Sequence, residues 1–364
     1  MEMELPGPRW PARLARPGCH LAGLVCLLAS ILSTGPADAQ DTVADFYKGR
    51  QISLIVGSSA GGGYDTYSRL IARHLGRHIP GNPAIVVSNV PGAGGNVLAN
   101  QLYNGGPKDG TAIGAPQSGV ILEPLLGTAP VKHDPSKFIY LGSANNDVYI
   151  CLARADAPAT TFADALDKTI ILAASNASST ADYAQILNNV LGAKFRIVTG
   201  YPGSREIALA IDKGEAQGAC GLAWPSISVT QSDWFSDGPT KSKMRVLVQT
   251  HGQGHPDLNA AGVPLAISFA KTPEQKAILE LFFSQSAFGR PYLIPPEVPK
   301  DRADALKKAF ADTMADAEFK AEARRMRLDV DTVPAALVQS TVERIYSSQP
   351  ELIARTKQAL QQKP

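Results

Sequence analysis

The strongest constraint on this chain lies between Ile52 and Leu75. An apolar run, residues 52–56, meets the loop Gly57-Ser58-Ser59-Ala60-Gly61-Gly62-Gly63, and the loop meets an amphipathic segment. Tyr67, Leu70, Ile71, His74 and Leu75 stand at i, i+3, i+4, i+7 and i+8, one face of a 3.6-residue period, and Asp65 precedes them as a candidate cap. A strand therefore feeds a glycine turn that feeds a helix. Glycines let the backbone turn with its N–H groups exposed and let a ligand approach without meeting a Cβ. The helix N-terminus adds unpaired donors and a partial positive charge. Ser58, Ser59, Ala60, Gly61, Gly62, Gly63, Tyr64 and Asp65 are the candidate contacts of an anion seat built mainly from backbone.

The same unit returns about thirty residues later. Residues 84–89 read as a strand, Pro91-Gly92-Ala93-Gly94-Gly95 as a loop, and residues 96–103 as a helix with Val97, Leu98 and Leu102 as its apolar positions. A third strand, residues 111–115, follows the turn Gly105-Gly106-Pro107-Lys108-Asp109-Gly110. The order β-α-β-α-β implies parallel strands, which places both glycine loops at the carboxyl edge of one sheet. Gly92, Ala93, Gly94, Gly95 and Asn96 are the candidate contacts of a second seat. Two seats side by side suit a ligand carrying a carboxylate.

At the N-terminus, Arg9, Arg13 and Arg16 precede the apolar stretch of residues 21–32, and Ala37-Asp38-Ala39 forms a small-residue site ahead of Gln40. This is the three-part pattern of a secretory signal peptide over residues 1–39, with an apolar run too short to span a membrane. A lipoprotein reading through Cys26 is disfavoured because Val25 stands where a small residue is wanted. The expectation is an exported mature protein. Residues 1–39 hold three basic and three acidic groups, so their removal leaves the formal charge at +2. Near-neutrality provides no electrostatic case for nucleic acid or an anionic membrane. Cys151 and Cys220 remain, both in strand-like runs; they are either a disulfide permitted by an oxidising compartment or two buried thiols, and the sequence leaves both open. No Cys/His spacing resembles a zinc site, and no metal or cofactor is called for.

From Phe138 the pattern restarts. Strands are expected at 138–141, 148–153, 169–174, 195–199, 216–222 and 244–249, with helices at 162–166, 181–191 and 205–212. The polar loop Ser175-Asn176-Ala177-Ser178-Ser179-Thr180 and the loop Gly200-Tyr201-Pro202-Gly203-Ser204 follow the strands that end at 174 and 199. The remainder is mostly helical, with long helices after Pro299 and Pro334 and an irregular interruption at Pro291-Tyr292-Leu293-Ile294-Pro295-Pro296. The fold class is α/β: two Rossmann-like lobes with a hinge and an inter-lobe cleft. Lobe 1 takes residues 40–143 and 286–364, and lobe 2 takes residues 144–285. The crossings fall near residues 142–146 and 284–291.

The residues also carry a resemblance. Ala60-Gly61-Gly62-Gly63-Tyr64-Asp65 with Arg69, then Asn89-Val90-Pro91-Gly92-Ala93-Gly94-Gly95-Asn96 and Pro107-Lys108-Asp109-Gly110-Thr111, resemble the Bug-type extracytoplasmic solute receptors of tripartite tricarboxylate transporters. The resemblance runs across essentially the whole mature chain. It implies a type II periplasmic binding protein that closes on a small carboxylate, held by the first two loops through backbone N–H groups and ordered water. Its third contact region matches Ser175, Asn176, Ser178 and Ser179 together with Tyr201, Ser204 and Arg205. Integral-membrane transporter subunits are the implied partners. The chain departs from the family in that third region, where Asn176-Ala177-Ser178-Ser179 stands in place of a glycine-rich loop and Pro202 removes one N–H donor. Ser178, Ser179, Ser204 and Arg205 can substitute side-chain donors.

Each candidate has a plainer role to weigh. Asp65 suits a helix cap as well as a ligand contact, and Arg69 suits a solvated helix position. Arg205 opens a helix after a glycine loop, where a cation would face the anion from the opposite lobe. Tyr64 and Trp224 suit packing as well as pocket lining, and His251 and His255 suit exposed turns. Gly57-Ser58-Ser59-Ala60-Gly61 also matches G-x-S-x-G, which makes a secreted serine hydrolase with Ser59 as nucleophile the alternative. Against it, Gly62, Gly63 and Tyr64 widen the loop before the helix, and the second glycine loop has no role in a nucleophile elbow. A phosphate loop needs Lys-Ser/Thr where Tyr64-Asp65 stands. A ligand sensor docking on a membrane kinase uses the same binding physics. The expectation is a non-catalytic, monomeric receptor with no nucleic-acid partner.

Overall fold

The computed structural model describes residues 42–127, 131–175, 179–201 and 203–361. Among the described residues eleven strands run in chain order: β1 (Gln51–Val56), β2 (Ala84–Asn89), β3 (Ala112–Ala115), β4 (Ile139–Ser143), β5 (Tyr149–Arg154), β6 (Ile170–Ala174), β7 (Phe195–Thr199), β8 (Gly218–Ala223), β9 (Met244–Gln249), β10 (Pro291–Ile294) and β11 (Val333–Pro334). They form two sheets, one of order β11-β4-β10-β3-β1-β2 and one of order β7-β6-β8-β5-β9. In the first sheet β1 runs parallel to β2 and β3, so the loops after all three leave the same edge, as the repeated strand–loop–helix pattern requires. In the second, β6 runs parallel to β7 and β8, while β5 is antiparallel to both β8 and β9. The result is a two-lobe α/β fold.

The long amphipathic helix Gly63–Leu75 buries Tyr67, Leu70, Ile71 and Leu75 against Leu54, Val56 and Ile113 of the first sheet, the face read from its 3.6 period. The second sheet has a matching layer of Ile150, Leu152, Ile207, Ile211 and Trp234. A third cluster joins the two sheets: Leu102, Val120 and Leu293 share it with Tyr149, Tyr183, Phe283 and Phe288.

Three expectations need correction. Residues 291–294 are not an irregular interruption but β10, inserted antiparallel between β3 and β4 at the centre of the first sheet. All four residues are buried, so no period-2 alternation marks the strand, and Pro291 occupies its first position, where a missing N–H is tolerated. The expected helix 181–191 is an α-helix, Ser179–Ile186, continued by a π-turn, Leu187–Leu191. Asp65 is not the cap of the helix Gly63–Leu75 but its third residue, the N-cap being Gly62, and its carboxylate reaches back to Gly61 N instead.

The chain passes from the first sheet to the second at residues 144–148 and returns at 284–290. The two passages lie side by side: Ala144 N donates to Arg290 O at 3.1 Å and Asp147 N to Ser286 O at 3.1 Å. Arg290 N donates to Ser143 Oγ at 3.0 Å, and that hydroxyl donates to Asn145 O at 2.8 Å.

Cys151 and Cys220 face each other across β5 and β8 and form a disulfide, which decides the question the sequence left open. The bridge closes a loop of sequence separation 69, for which chain entropy lost from the unfolded state amounts to about 4 kcal/mol. Replacing both cysteines by alanine is therefore expected to lower the melting temperature by roughly 5–10 °C. An unchanged melting temperature in differential scanning calorimetry would remove the bridge from the list of stabilising elements.

Candidate functional site

Three loops converge where β1, β2 and β3 end. A Cβ on Gly57 would lie 3.1 Å from the Cα atoms of both Gly95 and Pro116, and one on Gly95 would lie 2.9 Å from Gln117 N. Glycine is needed at these points so that three backbones can approach each other. The second loop stays left-handed through Ala93 (φ 45°), Gly94 (φ 62°) and Gly95 (φ 92°), folding its peptide groups into a tight 3-10 turn. Gly63, Tyr64 and Asp65 form the first turn of the helix Gly63–Leu75, whose N–H groups have no intrahelical acceptor, since Thr66 N makes the first such bond, to Gly62 O. Beside them the hydroxyl of Ser58 and the Oδ1 of Asn96 are buried with no hydrogen-bond partner among the described residues. The Asn96 Nδ2 donates to Ala93 O at 2.7 Å, which orients the amide and leaves its oxygen open.

Asp65 holds this arrangement together. Its carboxylate accepts from Gly61 N at 2.8 Å, from Arg69 Nε at 2.9 Å and from Asn89 Nδ2 at 2.9 Å, while Asn89 Nδ2 also donates to Ser58 O at 2.9 Å. The first loop is thus pinned to the end of β2. Arg69 is committed through Nε to Asp65 and through Nη2 to Asn89 Oδ1, so the charge of Asp65 is met within its own loop. Burial pushes the Asp65 carboxyl up, and the bonds from Arg69, Gly61 and Asn89 outweigh it, so the group titrates below its usual range.

Beneath the loops lies a buried polar floor that sequence reasoning missed. Arg290, 2% exposed, donates from Nη2 to Ser226 Oγ at 2.7 Å, stands 3.5 Å from Asp147 Oδ1, and lies over the rings of Tyr67 and Tyr64 at 4.2 and 5.1 Å. Tyr64 turns inward: its hydroxyl donates to Gly289 O at 2.7 Å and accepts from Ser118 N at 3.2 Å. Burial raises its phenol. Ser118 Oγ lies 3.0 Å from Tyr149 Oη, and Tyr183 Oη 3.1 Å from Ser286 Oγ. A Cβ on Gly63 would stand 2.9 Å from Ser226 Oγ, so the helix after the first loop meets the helix Trp224–Thr230 of the second sheet directly. Burial pushes the Asp147 carboxyl up, opposed by the Arg290 guanidinium, which stays charged. No sequence signal singles out Arg290, a lone cation between Gly289 and Pro291.

The expected third region is only partly described. Ser175 N donates to Thr180 Oγ1 at 2.9 Å, closing the ends of that loop on each other. Asn176, Ser178 and Pro202 lie outside the described residues, and Ser179 opens the helix Ser179–Ile186. Tyr201 packs on the core of the second sheet, and Ser204 and Arg205 are exposed in the first turn of the helix Ser204–Asp212. No hydrogen bond or ion pair among the described residues joins Tyr201, Ser204 or Arg205 to the glycine loops. Ser59 is exposed and makes no hydrogen bond to a histidine among the described residues. His251 accepts from Gln253 N and His255 from Asp257 N, each within its own turn.

No family model matches the chain. It is 29% identical over 123 residues to a UPF0065 protein of Bordetella bronchiseptica, covering 33% of this chain and 35% of the relative. It is 35% identical over 117 residues to a UPF0065 protein of Cupriavidus necator, covering 32% and 33%. The match thus spans about a third of the length of the curated relatives. Among solved structures, the periplasmic binding protein BugD superposes with a TM-score of 0.64 at 19% identity, covering 86% of this chain and 98% of that one. Rpa4515 of Rhodopseudomonas palustris, solved with adipate, gives 0.63 at 19%, covering 85% and 98%. MatC of the same organism, solved with malate, gives 0.61 at 16%, covering 86% and 99%. The chain has the fold of the TctC and Bug periplasmic binding proteins.

Asp65→Asn keeps the size of the side chain and loses the charged acceptor, at an expected cost of about 2 kcal/mol near neutral pH. Because the native carboxyl titrates low, its contribution is present above the unfolded value of about 4 and is lost as pH falls through the native one. Denaturant melts of the two proteins should therefore converge as the pH is lowered from about 5 to about 2. A gap that stays constant over that range contradicts the role assigned to Asp65.

Proposed function

We propose that this chain, with the fold of the TctC and Bug periplasmic binding proteins, is an extracytoplasmic receptor that captures a small organic carboxylate. It would then deliver that carboxylate to the membrane subunits of a tripartite tricarboxylate-type transporter. The observation that carries the reading is the convergence of the loops after β1, β2 and β3 around free helix-start donors and the unpartnered Ser58 hydroxyl. The neighbours solved with adipate and malate support a ligand of this class.

The seat presents dipoles rather than a free cation, since Arg69 is bound to Asp65 and Arg290 stands beside Asp147. That suffices: micromolar affinity needs about 8 kcal/mol, a hydrogen bond to a charged acceptor contributes about 1.5–3, and a helix start about 0.3–2. Three or four such contacts reach this range after association costs. In this reading the Ser58 hydroxyl and the backbone N–H groups of residues 58–65 and 92–96 bind the carboxylate. Asn96 Oδ1 accepts from a ligand hydroxyl or an ordered water, and the loops around Ser175 to Ser179 and Tyr201 to Arg205 take the other end. Asp65 acts by shaping its loop and Tyr64 by tying that loop to the crossing segments. Residues 40–143 and 286–364 form one lobe, residues 144–285 the other, and the paired crossings form the hinge. Ligand contacts available only when both lobes meet it would drive closure.

Export through the signal segment of residues 1–39 belongs to the same proposal, as does action as a monomer without catalysis. Among the described residues no helix is long and apolar enough to cross a membrane. The serine-hydrolase alternative lacks support in the site, where Ser59 makes no hydrogen bond to a histidine among the described residues, and delivery to a sensor kinase would leave the binding chemistry unchanged.

A thermal-shift screen of the protein against di- and tricarboxylates, aromatic acids and acidic amino acids, each beside its amide, tests this directly. Ligand at a hundred times its Kd adds about 2.7 kcal/mol. An acid should raise the melting temperature where its amide does not. Gly94→Asp accepts the left-handed backbone of its position and places a carboxylate in the second seat. It is expected to abolish the shift while leaving the unliganded melting temperature nearly unchanged. Undiminished acid binding by folded Gly94→Asp, or labelling of Ser59 by a fluorophosphonate, would overturn the reading.

A further inference from the structure

A cavity of about 270 Å³ opens beside the crossing segments, apart from the glycine loops. Asn145 and Asn146 line it from the first crossing, His255 from the turn after β9, and Asp329 and Asp331 from the segment ahead of β11. Its hydrogen-bonding side chains are rich in oxygen, and no lysine or arginine is among its lining residues. Asn145 is fully buried. Its Nδ2 donates to Asp147 Oδ1 at 2.9 Å, which orients the amide and leaves Oδ1 buried and without a partner among the described residues. Asn146 Oδ1 is likewise buried and unpartnered. A buried carbonyl left without a partner is costly, so two on adjacent residues point to a group that supplies positive charge or donors.

The rest of the lining narrows what that group is. His255 Nδ1 accepts from Asp257 N at 3.2 Å, which places the proton of the neutral ring on Nε2, 3.6 Å from Asp329 Oδ2. The Asp329 carbonyl accepts from Tyr67 Oη at 2.7 Å and so holds the Asp329-Val330-Asp331 segment against the helix Gly63–Leu75. The negative charge of Asp329 is felt at Asp147, where it adds to the upward push of burial. An anion is excluded by these carboxylates. Carboxylate and amide oxygens in number are the ligand set of a hard divalent cation, which takes six to eight of them at about 2.3–2.6 Å. At about 30 Å³ per water the space holds an ion with part of its hydration shell.

We propose that this cavity binds a hard divalent cation of the calcium type, through the carboxylates of Asp329 and Asp331 and the amide oxygens of Asn145 and Asn146, with water completing the shell. The cation would tie the crossing segment to the strand segment entering β11, stiffening the passage between the two sheets. The site does not depend on the identity of the organic ligand or on the receptor reading.

Isothermal titration calorimetry of the chelator-treated protein with calcium chloride, in the absence of any organic acid, tests the proposal. One saturable site with a Kd of about 10⁻⁴–10⁻³ M, the range of extracellular calcium modules, is expected. The double variant Asp329→Asn/Asp331→Asn should weaken it at least tenfold while melting at the same temperature in chelator, since Asp329 is 58% exposed by its side chain. Asp304→Asn/Asp312→Asn, which alters surface ion pairs elsewhere, should titrate like the parent. Absence of saturable heat up to about 10 mM, equal affinity in the Asp329/Asp331 variant, or an equal response to ammonium chloride overturns the proposal. Failure of every organic acid in the thermal-shift screen leaves this titration unaffected.

Discussion

A single buried guanidinium holds the middle of this molecule. Arg290 lies on the returning passage between the two sheets and touches both: Ser226 belongs to the second sheet's helix, Tyr64 and Tyr67 to the first helix after a glycine loop, and Asp147 to the outgoing passage. Burying a charge costs several kcal/mol unless it is paired and hydrogen-bonded. At 3.5 Å the contact to Asp147 is long, and the two aromatic faces and the Ser226 hydroxyl share the work of replacing water. The surrounding backbone is fitted to the pair: a Cβ on Gly289 would fall 2.3 Å from the side chain of Asp147, and one on Gly63 would fall within 3.4 Å of the guanidinium. The Arg290 position therefore constrains where the first glycine loop can sit relative to the second sheet.

The glycine loops depend on a second, more local constraint. Left-handed backbone at Ala93, Gly94 and Gly95, and the contact of Gly57 with Gly95 and Pro116, crowd peptide groups that would otherwise take up water. Asp65 offsets part of that cost by accepting from Gly61, Asn89 and Arg69 at once, and it does so with its charge consumed locally. In the proposed receptor this separation has a use. The residues that fix the loop's shape are saturated, and the groups left over, the Ser58 hydroxyl and the start of the helix Gly63–Leu75, are available to a ligand. Affinity and stability then rest on different atoms.

Much of this was legible in the amino-acid sequence because it is encoded locally. The period of Tyr67, Leu70, Ile71, His74 and Leu75 identified the buried face of the helix, and the repeat of strand, glycine loop and helix required parallel strands with both loops at one edge. Elements defined by long-range pairing left no such trace. β10 is four buried residues beginning with proline, indistinguishable in isolation from a turn, and it becomes a strand only because β3 and β4 flank it. Residues 291–294, Cys151 and Cys220 each needed a neighbour far away in sequence to acquire their meaning.

The sequence by itself determined the α/β class, the two sets of strands and the two glycine loops, since each follows from periodicity or turn chemistry within a few tens of residues. Only the tertiary structure decided that Arg69 is bound to Asp65 and Asn89, that Tyr64 points inward to Gly289, that Arg290 and Asp147 meet beneath the loops, and that the two cysteines are bridged. The physical reason is the range of the interactions. A backbone conformation is set by its immediate neighbours, whereas the partner of a buried charge, an orphaned carbonyl or a thiol is chosen by whichever distant segment the packed core brings within about 3 Å.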